Sequence, residues 1–300
     1  MKKWSRFTLV LFLLPVLFFM QGCSQSAPQT VGNAQRIVIR LATDYRIDSI
    51  GYQQLQEFGR QIQEKSQNAM VVNLYSRGEW SQPESFADYV ELSSLEMACL
   101  SVSDASKLQP AYAIYEQPYL FLTLQAVEQY ILGEAGRKAL DTLPADYYGI
   151  GFVPDGYLYL LQNEQLQWVS YGDIKQMGQT KALADTAVYD LRAVYSLQPL
   201  VTSKEWWDSL TEEQKTWVQE SFQDAVAVSF AQQADKEPAQ TLLSAGVIFQ
   251  DSTEPQWESY RNLYVQQRET YFSEHSDALT VYWRPISVQA PITGEEEPAQ

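Results

Sequence analysis

The order of apolar and polar positions in the first part of the chain predicts strands that alternate with helices. Ile37, Ile39 and Leu41 stand two positions apart, which is the spacing of a buried strand. After residue 49, apolar side chains recur every three or four positions, as on one face of a helix. This alternation predicts an α/β fold with a parallel sheet and right-handed crossovers. The predicted elements are strands at residues 36–43, 69–75 and 97–102 and helices at residues 49–67 and 83–95.

Helical periodicity is most sustained after residue 210. Thr211 and Gln214 form a capping box, in which each side chain bonds an amide of the first turn. An inward stripe of apolar residues follows until Pro238 breaks the helix. The stripe consists of Trp217, Phe222, Val226 and Phe230. Further predicted elements are a loop at residues 109–115, helices at 123–132, 134–143 and 256–272, and strands at 149–153, 157–162 and 246–250.

Hydroxyl and aromatic side chains follow the first three predicted strands, at the edge where ligands bind in such sheets. Thr43 and Tyr45 follow the first strand, Trp80 follows the second, and Ser101 and Ser103 follow the third. We expect them to converge on one cleft, although any one of them is more often a turn or cap residue. The predicted ligand-binding set also includes Glu84, Tyr119, Tyr157 and Tyr159. The last two tyrosines, on one strand face, fit a binding wall and a half-exposed sheet equally well.

The N-terminal segment has the pattern of a secretory signal rather than a membrane span. Basic residues precede an apolar run at residues 7–20, which is shorter than the about 20 residues needed to cross a bilayer. Cys23 directly follows Gly22, as in the lipobox of bacterial lipoproteins, and this similarity implies lipidation of Cys23. An ordinary cleaved signal with an incidental cysteine is the alternative. Residues 1–22 are therefore predicted to be a lipoprotein signal peptide, followed by a flexible tether at residues 23–35.

The charge of the chain argues against nucleic acid and anionic lipid surfaces as partners. The sequence has 21 basic and 37 acidic residues, and the signal peptide removes Lys2, Lys3 and Arg6. The remaining 18 basic and 37 acidic residues give a formal charge of −19. Cys99 is the one cysteine besides Cys23, so the lipidated chain is not expected to form an internal disulfide.

Catalytic and metal-binding motifs are missing from the sequence. His275 is the only histidine, which excludes multi-histidine metal sites and leaves little for a Ser-His-Asp triad. The sequence has no glycine-rich phosphate loop, CxxC or HExxH pattern. We therefore predict no enzyme activity, no cofactor and no metal.

Several segments resemble the DctP-type extracytoplasmic solute-binding proteins of tripartite ATP-independent periplasmic (TRAP) transporters. Residues 39–42 (IRLA) are similar to the opening strand of that family, and residues 117–121 (QPYLF) to its Leu-Pro-Phe-Leu-Phe segment. Residues 90–103 (VELSSLEMACLSVS) are similar to a helix and strand that end in hydroxyl residues. Residues 201–214 (VTSKEWWDSLTEEQ) and 245–247 (AGV) match segments that introduce the C-terminal helices and a late strand. The order of these segments is that of the family.

The resemblance implies a periplasmic-binding-protein-like fold that holds small organic acids in a cleft between two lobes. In that family an arginine clamps the ligand carboxylate with two hydrogen bonds. Leu158 occupies the matching position here, and no arginine occupies the second expected position after Gly178. Only the 42 residues 164–205 are left for the second lobe, so we expect it to be reduced.

The predicted organisation is a parallel-sheet first lobe, a reduced second lobe and long C-terminal helices. The boundaries are residues 36–155 for lobe one, 156–205 for lobe two, 206–285 for helices packing on both lobes, and 286–300 for a disordered acidic tail.

The predicted function is that of an extracytoplasmic protein, lipid-anchored to the bacterial cell membrane, that delivers a small polar metabolite to TRAP membrane subunits. Hydroxyl and aromatic groups would replace the arginine clamp. A degenerate paralogue that acts as a sensory or protein-interaction lipoprotein is the alternative. An enzyme is the third hypothesis, and only scattered carboxylates such as Asp44 and Glu84 support it.

Overall fold

A computed structural model describes residues 36–80, 85–162, 165–183, 186–235, 238–250, 255–277, 279–280 and 283. The predicted signal peptide, Cys23, the tether, Glu84 and the predicted tail lie outside the described residues. The strands are β1 (Ile37–Thr43), β2 (Met70–Tyr75), β3 (Met97–Cys99), β4 (Tyr147–Tyr157), β5 (Tyr159–Gln162), β6 (Leu166–Val169), β7 (Ala187–Tyr189) and β8 (Tyr195–Ser203). The first helices are α1 (Ile50–Lys65), α2 (Phe86–Glu91), α3 (Val102–Leu108), α4 (Leu124–Leu132) and α5 (Glu134–Leu140). The later ones are α6 (Tyr171–Gln179), α7 (Lys204–Ser209), α8 (Glu212–Asp235), α9 (Pro238–Ser244) and α10 (Pro255–Glu274), and a 3₁₀ helix spans Pro110–Glu116.

Five strands form a large sheet in the order β2–β1–β3–β8–β4. β1 pairs in parallel with β2 and β3, whereas β8 pairs antiparallel with β3 and β4. Four strands therefore point the same way, and the predicted mostly parallel α/β sheet is confirmed. Residues 195–203, which the predicted boundaries assign to the second lobe, form β8 within the large sheet. The side chains of Leu197, Leu200 and Val201 are fully buried there.

The helix after β1 packs its apolar face against the large sheet, as the periodicity predicts. Leu55, Phe58 and Ile62 are fully buried and stand three or four positions apart. Ser49 caps the first turn of α1, and its hydroxyl accepts a hydrogen bond from the amide of Tyr52 at 3.1 Å. The cap fixes where the chain leaves β1 and enters the helix, which sets the geometry of that edge of the sheet.

A second, smaller sheet has the order β6–β5–β7, with antiparallel pairing throughout. Its two faces belong to different apolar clusters, because Leu160 packs on one side and Leu161 on the other. Residues 246–250 were predicted to be a strand, but they contribute only an isolated bridge between Phe249 and Val188. The turn at Gly246, with a φ of +90°, separates this segment from α9.

Two predicted elements are shorter in the structure because polar side chains end them. The helix predicted at residues 83–95 is α2, which ends before Ser93, where φ is +56°. The strand predicted at residues 97–102 ends at Cys99, since the hydroxyl of Ser101 caps α3 by accepting from the amide of Asp104 at 3.1 Å. The boundary at Ser101 lies at the predicted ligand-binding edge, whereas the one at Ser93 precedes β3.

Two other segments extend further than the sequence pattern indicates. The predicted loop at residues 109–115 is mostly the 3₁₀ helix, which Pro110 begins and the side chain of Gln109 caps. The strand predicted at residues 149–153 is the eleven-residue β4. β4 reaches to Tyr157, so only Leu158 separates it from β5 in the smaller sheet.

The C-terminal helices connect both sheets to one another. The predicted capping box is present, since the amide of Gln214 donates to the hydroxyl of Thr211 and the amide of Thr211 donates to the Gln214 side chain. Phe272 of α10 is buried in the large core, whereas Tyr264 of the same helix packs with the smaller sheet. No helix among the described residues has the length and apolar character of a membrane span.

Candidate ligand-binding site

The first two predicted ligand residues are buried by the protein itself. Thr43 is fully buried, and its hydroxyl accepts from the amide of Tyr45 at 3.1 Å. The Tyr45 hydroxyl donates to the carbonyl of Val153 on β4 at 3.1 Å. Burial raises the pKa of Tyr45 well above its ordinary value. Tyr45 therefore ties the β1–α1 turn to β4, and Thr43 orders the turn itself.

Asp155 is a buried carboxyl group outside the predicted ligand-binding set. Its side chain is 1% exposed and accepts from the amide of Gly51 at 2.7 Å. Burial raises its pKa to about 7, while the Gly51 amide and Ser49 favour the charged form and lower it. The β4–β8 ladder shifts register between Pro154 and Gly156, as at a β-bulge. In the sequence, Asp155 is the one charged residue in an otherwise apolar run and directly precedes Gly156. This pattern is the signal that could have identified it as a buried carboxyl group.

Gly51 is required at this point of the structure. A Cβ atom there would lie 2.3 Å from the ring of Tyr45, which is closer than any real contact allows. The absence of a side chain lets the first turn of α1 approach Tyr45 and Asp155 together. Tyr45, Gly51 and Asp155 thus form one packed unit at the carboxyl end of β1.

Ion pairs join the loops after β1 and β2 to the first turn of α6. Arg77 donates from Nε to the carbonyl of Asp44 at 2.7 Å and from Nη1 to Oδ1 of Asp173 at 2.8 Å. Arg46 Nε lies 3.8 Å from the same carboxylate oxygen. The close approach of α6 is possible because of Gly172, where a Cβ would lie 3.1 Å from the side chain of Ser49. These two arginines are therefore paired with protein carboxylates at the mouth of the predicted cleft.

Trp80 stands in a group of aromatic side chains after β2. Its ring packs edge-on against Tyr75 and Tyr89, with ring centres 5.2 and 5.8 Å away. The indole NH has no hydrogen-bond partner among the described residues. Ser101 is the cap of α3, and Ser103 is exposed one residue into that helix. Of these three residues, Ser103 is the most accessible.

Tyr157 and Tyr159 have different surroundings because they lie on consecutive strands, β4 and β5, that belong to different sheets. Tyr157 is half-buried, packs edge-on against Tyr195 at 4.9 Å, and donates to the carbonyl of Phe121 at 3.3 Å. Burial raises its pKa to about 12. Tyr159 is 4% exposed and packs against Phe249 in the core of the smaller sheet. Tyr157 alone of the two has surface available to a ligand.

Tyr119 fixes the loop before α4 through its backbone. Its amide donates to the carbonyl of Ala193, and its φ is +55°, which is unusual for a residue with a side chain. Its carbonyl accepts from Nη1 of Arg268 at 3.1 Å. Arg268 is 3% exposed and was not selected from the sequence. Its spacing of four from Tyr264 and from Phe272 on α10 is the pattern that marks it as inward-facing.

The structure brings part of the predicted set together. Tyr45 and Tyr157 both lie beside Tyr195 at the start of β8, with Thr43 below. Trp80 belongs to its own aromatic group, and Tyr119 and Tyr159 lie in the two clusters of the smaller sheet. Cys99 is buried, and its sulfur lies 3.7 Å from the side-chain oxygen of Gln198. The described segments contain no cluster of three or more His, Cys, Asp or Glu residues that could hold a metal ion. The polar groups at this edge are thus hydroxyls, amides and paired charges.

The family comparison agrees with the resemblance drawn from the sequence. Residues 43–170 match the model of the bacterial extracellular solute-binding proteins, family 7, DctP. No curated protein matches the sequence significantly. The matched region runs from the end of β1 to the N-cap of α6 and so includes most of the predicted ligand-binding edge.

Many solved structures have the same fold. A TRAP periplasmic solute-binding protein from Ochrobactrum anthropi is 15% identical, with a TM-score of 0.68 over 85% of this chain and 96% of that one. A TRAP protein from Desulfovibrio desulfuricans with bound sn-glycerol-3-phosphate is 12% identical, with a TM-score of 0.69 over 83% of this chain and 99% of that one. The sugar acid binding protein DctPAm from Advenella mimigardefordensis, in complex with galactonate, is 17% identical, with a TM-score of 0.68 over 85% and 98%.

These matched proteins are transport components rather than enzymes. The fold class predicted from the sequence, a periplasmic-binding-protein-like α/β fold with long C-terminal helices, is confirmed. Residues 43–170 of this chain thus match the DctP family model, and the chain has the fold of the solved periplasmic solute-binding proteins of TRAP transporters.

Proposed function

We propose that this chain is an extracytoplasmic solute-binding protein that captures a small polar metabolite and delivers it to TRAP-type membrane subunits. The match of residues 43–170 to the DctP family carries the proposal, because it includes the strand ends that frame the predicted site. Neighbouring structures hold small, polar ligands, among them sn-glycerol-3-phosphate, D-erythronate and succinate. A ligand of that size and polarity suits the edge at which β1, β3 and β4 end.

The ligand of this chain is proposed to be held by hydroxyl and aromatic groups rather than by an arginine clamp. Leu158 stands at the proposed clamp position, and its amide is bonded to the carbonyl of Val194. Arg77 donates a hydrogen bond to Asp173, and Arg46 Nε lies 3.8 Å from the same carboxylate, so a free carboxylate would compete with Asp173 for these arginines. The half-buried ring of Tyr157 and the exposed hydroxyl of Ser103 are the groups offered to a solute. A polar, weakly charged metabolite fits this chemistry better than a simple carboxylate.

The ion pairs between Asp173 and the two arginines support closure of the smaller sheet over the site. They join Asp173 of α6 to the loops after β1 and β2 of the large sheet. The chain passes from the large sheet to the smaller sheet where β4 leads into β5. Exposed pairs of this kind contribute only about 0–1 kcal/mol each to stability. Such weak links are suited to a domain that opens to admit a solute and closes over it.

The alternative function is a degenerate paralogue that serves as a sensory or protein-interaction lipoprotein. It is favoured by the burial of Thr43, Tyr45, Tyr119 and Tyr159 within the protein's own packing. A protein of this type would keep the scaffold and bind no solute. A direct binding experiment distinguishes the two functions, because only the first requires that the protein binds a solute.

Purified residues 24–300 are expected to gain thermal stability with at least one compound in a screen of small polar metabolites. The screen includes polyols, sugar acids, phosphorylated polyols and dicarboxylates at millimolar concentration. Binding at 100 times Kd stabilises the native state by about 2.7 kcal/mol, which is a readily measured rise in melting temperature. If every compound in the library leaves the melting temperature unchanged, the interaction-protein alternative is favoured.

The proposed lipid anchor at Cys23 gives a second test. Cys23→Ser is expected to move the protein from the membrane fraction to the soluble extracytoplasmic fraction and to abolish labelling with a fatty-acid analogue, because the acyl chains supply the membrane affinity. Ser24→Ala is the matched control and should stay membrane-bound and labelled. Retention of the unlabelled Cys23→Ser protein in the membrane fraction would show that the anchor assignment is incorrect.

A further inference from the structure

Asp44 places a carboxyl group among the strand ends of the predicted ligand-binding edge. It directly follows β1, which lies between β2 and β3 in the large sheet. Thr43, the last residue of β1, is paired with Cys99, the last residue of β3. Asp44 therefore stands next to the start of α3, where Ser103 is exposed. The Asp44 side chain is half-buried, and the predicted ligand-binding set does not include it.

The carboxylate of Asp44 lacks a bonded partner. Within the part of the chain that the structure describes, no hydrogen bond or ion pair reaches it, and its oxygens are not fully buried. Burial and, after it, the negative charge of Asp104 raise the pKa of Asp44, whereas the charge of Arg77 lowers it. Carboxylates that are partly withdrawn from water are generally paired, so this one is suited to a cationic partner.

The basic side chains closest to Asp44 in the loops direct their hydrogen bonds elsewhere. Arg77 donates from Nε to the backbone carbonyl of Asp44 at 2.7 Å and from Nη1 to Asp173 at 2.8 Å. Lys107 Nζ donates to Oδ1 of Asp104 at 2.7 Å. Neither cation therefore bonds to the Asp44 carboxylate, and an anionic solute at this edge would be repelled by it.

Aromatic rings stand on the other side of Asp44. Ala42 of β1 is paired with Tyr75 at the end of β2, and the ring of Tyr75 packs on Trp80 with ring centres 5.2 Å apart. Aromatic faces attract organic cations. A metal ion is less suited to this edge, because the described segments hold no cluster of three or more metal-ligating side chains. A carboxylate, hydroxyls and aromatic rings together favour an organic cation.

We propose that the solute of this chain is a small polar metabolite with a protonated amine, and that Asp44 binds its ammonium group. An ammonium has three N–H donors, which suit the oxygens of Asp44 and the hydroxyl of Ser103. The formal charge of −19 on residues 24–300 attracts a cation over long range. This inference rests on the proposed solute-binding function and names the class of solute.

The test compares compounds of matched size that differ in charge. One set is serinol, glycerol and glycerate, and the other is D-glucosamine, D-glucose and D-glucuronate. Isothermal titration calorimetry at pH 6.5 measures their binding to residues 24–300. Asp44→Asn removes the charge and keeps the shape of the side chain, and Asp44→Glu keeps the charge. Asp146→Asn is the matched control, because Asp146 is exposed and directly precedes β4, at the opposite edge of the large sheet.

We expect at least one of the two amines to bind the wild type at least tenfold more tightly than both compounds matched to it. This affinity should fall at least tenfold in Asp44→Asn, and the preference for the amine should persist in Asp44→Glu and Asp146→Asn. The wild-type preference among the matched compounds tests the class of solute without any variant.

Three results would overturn the assignment of an amine. A neutral or anionic compound that binds as tightly as its matched amine would do so, and so would unchanged amine affinity in a folded Asp44→Asn protein. The third is that neither amine binds although another polar metabolite does, and in these three cases the proposed solute-binding function stands. If no compound of any class binds, the proposed function fails together with this inference.

Discussion

Asp155→Asn is expected to make the protein more stable than the wild type at pH 8 and to leave its stability nearly unchanged near pH 4. The native pKa of Asp155 is about 7, against an ordinary value of 3.8, because the group is buried. Between these two values the native state holds a proton that the unfolded chain has released, so wild-type stability falls as pH rises through this window. At about 1.36 kcal/mol per pKa unit, the loss reaches up to ~4 kcal/mol above pH 7.

Asparagine retains the oxygen that accepts from Gly51 and carries no charge, so it lacks this titration. The measurement is urea unfolding at intervals between pH 4 and pH 8.5 for both proteins. Asp146→Asn is the control, because it makes the same substitution at an exposed aspartate. If the free energy of unfolding depends on pH in the same way in the wild type and in Asp155→Asn, the raised pKa of Asp155 is contradicted.

Phe58→Ala is expected to lower the free energy of unfolding by about 3–5 kcal/mol. Phe58 is fully buried between α1 and the large sheet and packs edge-on against Phe222 of α8, with ring centres 5.9 Å apart. Truncation removes that aromatic contact and leaves a cavity that the rigid sheet cannot fill. Chemical denaturation at 25 °C measures the difference.

Leu92→Ala is the control for this prediction, because Leu92 is 71% exposed and its loss should change stability by less than about 0.5 kcal/mol. A loss below about 1 kcal/mol in Phe58→Ala would mean that α1 and α8 do not share one core. Because this core supports the β1–α1 turn, its integrity is a condition for any site at that edge.

The first half of the fold follows from local sequence patterns, and the position of β8 does not. β1, α1 and β2 are each specified by a short run of apolar residues with a strand or helix period, and a parallel connection of this kind has one favoured hand. The apolar run that forms β8 predicts a strand, but its pattern does not indicate which of the two sheets the strand joins. Its pairing with β3 and β4 is decided by contacts about 100 residues away along the chain, at Ala98 and Val201 for example, which periodicity does not report.

The rule on strand ends names candidate residues but not the roles of their side chains. It selects Thr43 and Tyr45, and both hydroxyls are used by the protein's own backbone. A hydroxyl or aromatic side chain is equally suited to a ligand and to a buried carbonyl, so residue type alone does not separate the two roles. Asp155 and Arg268 were missed because their burial depends on partners far along the chain, Gly51 and Tyr119.

The edge around Tyr157 is proposed to bind a small polar solute. The most direct measurement is isothermal titration calorimetry of residues 24–300 with the compound that stabilises the protein most, comparing wild type with Tyr157→Ala. We expect one molecule to bind per wild-type chain and at least tenfold weaker binding to Tyr157→Ala, with an unchanged circular dichroism spectrum. Absence of binding by the wild type, or equal affinity in a folded Tyr157→Ala protein, would contradict it.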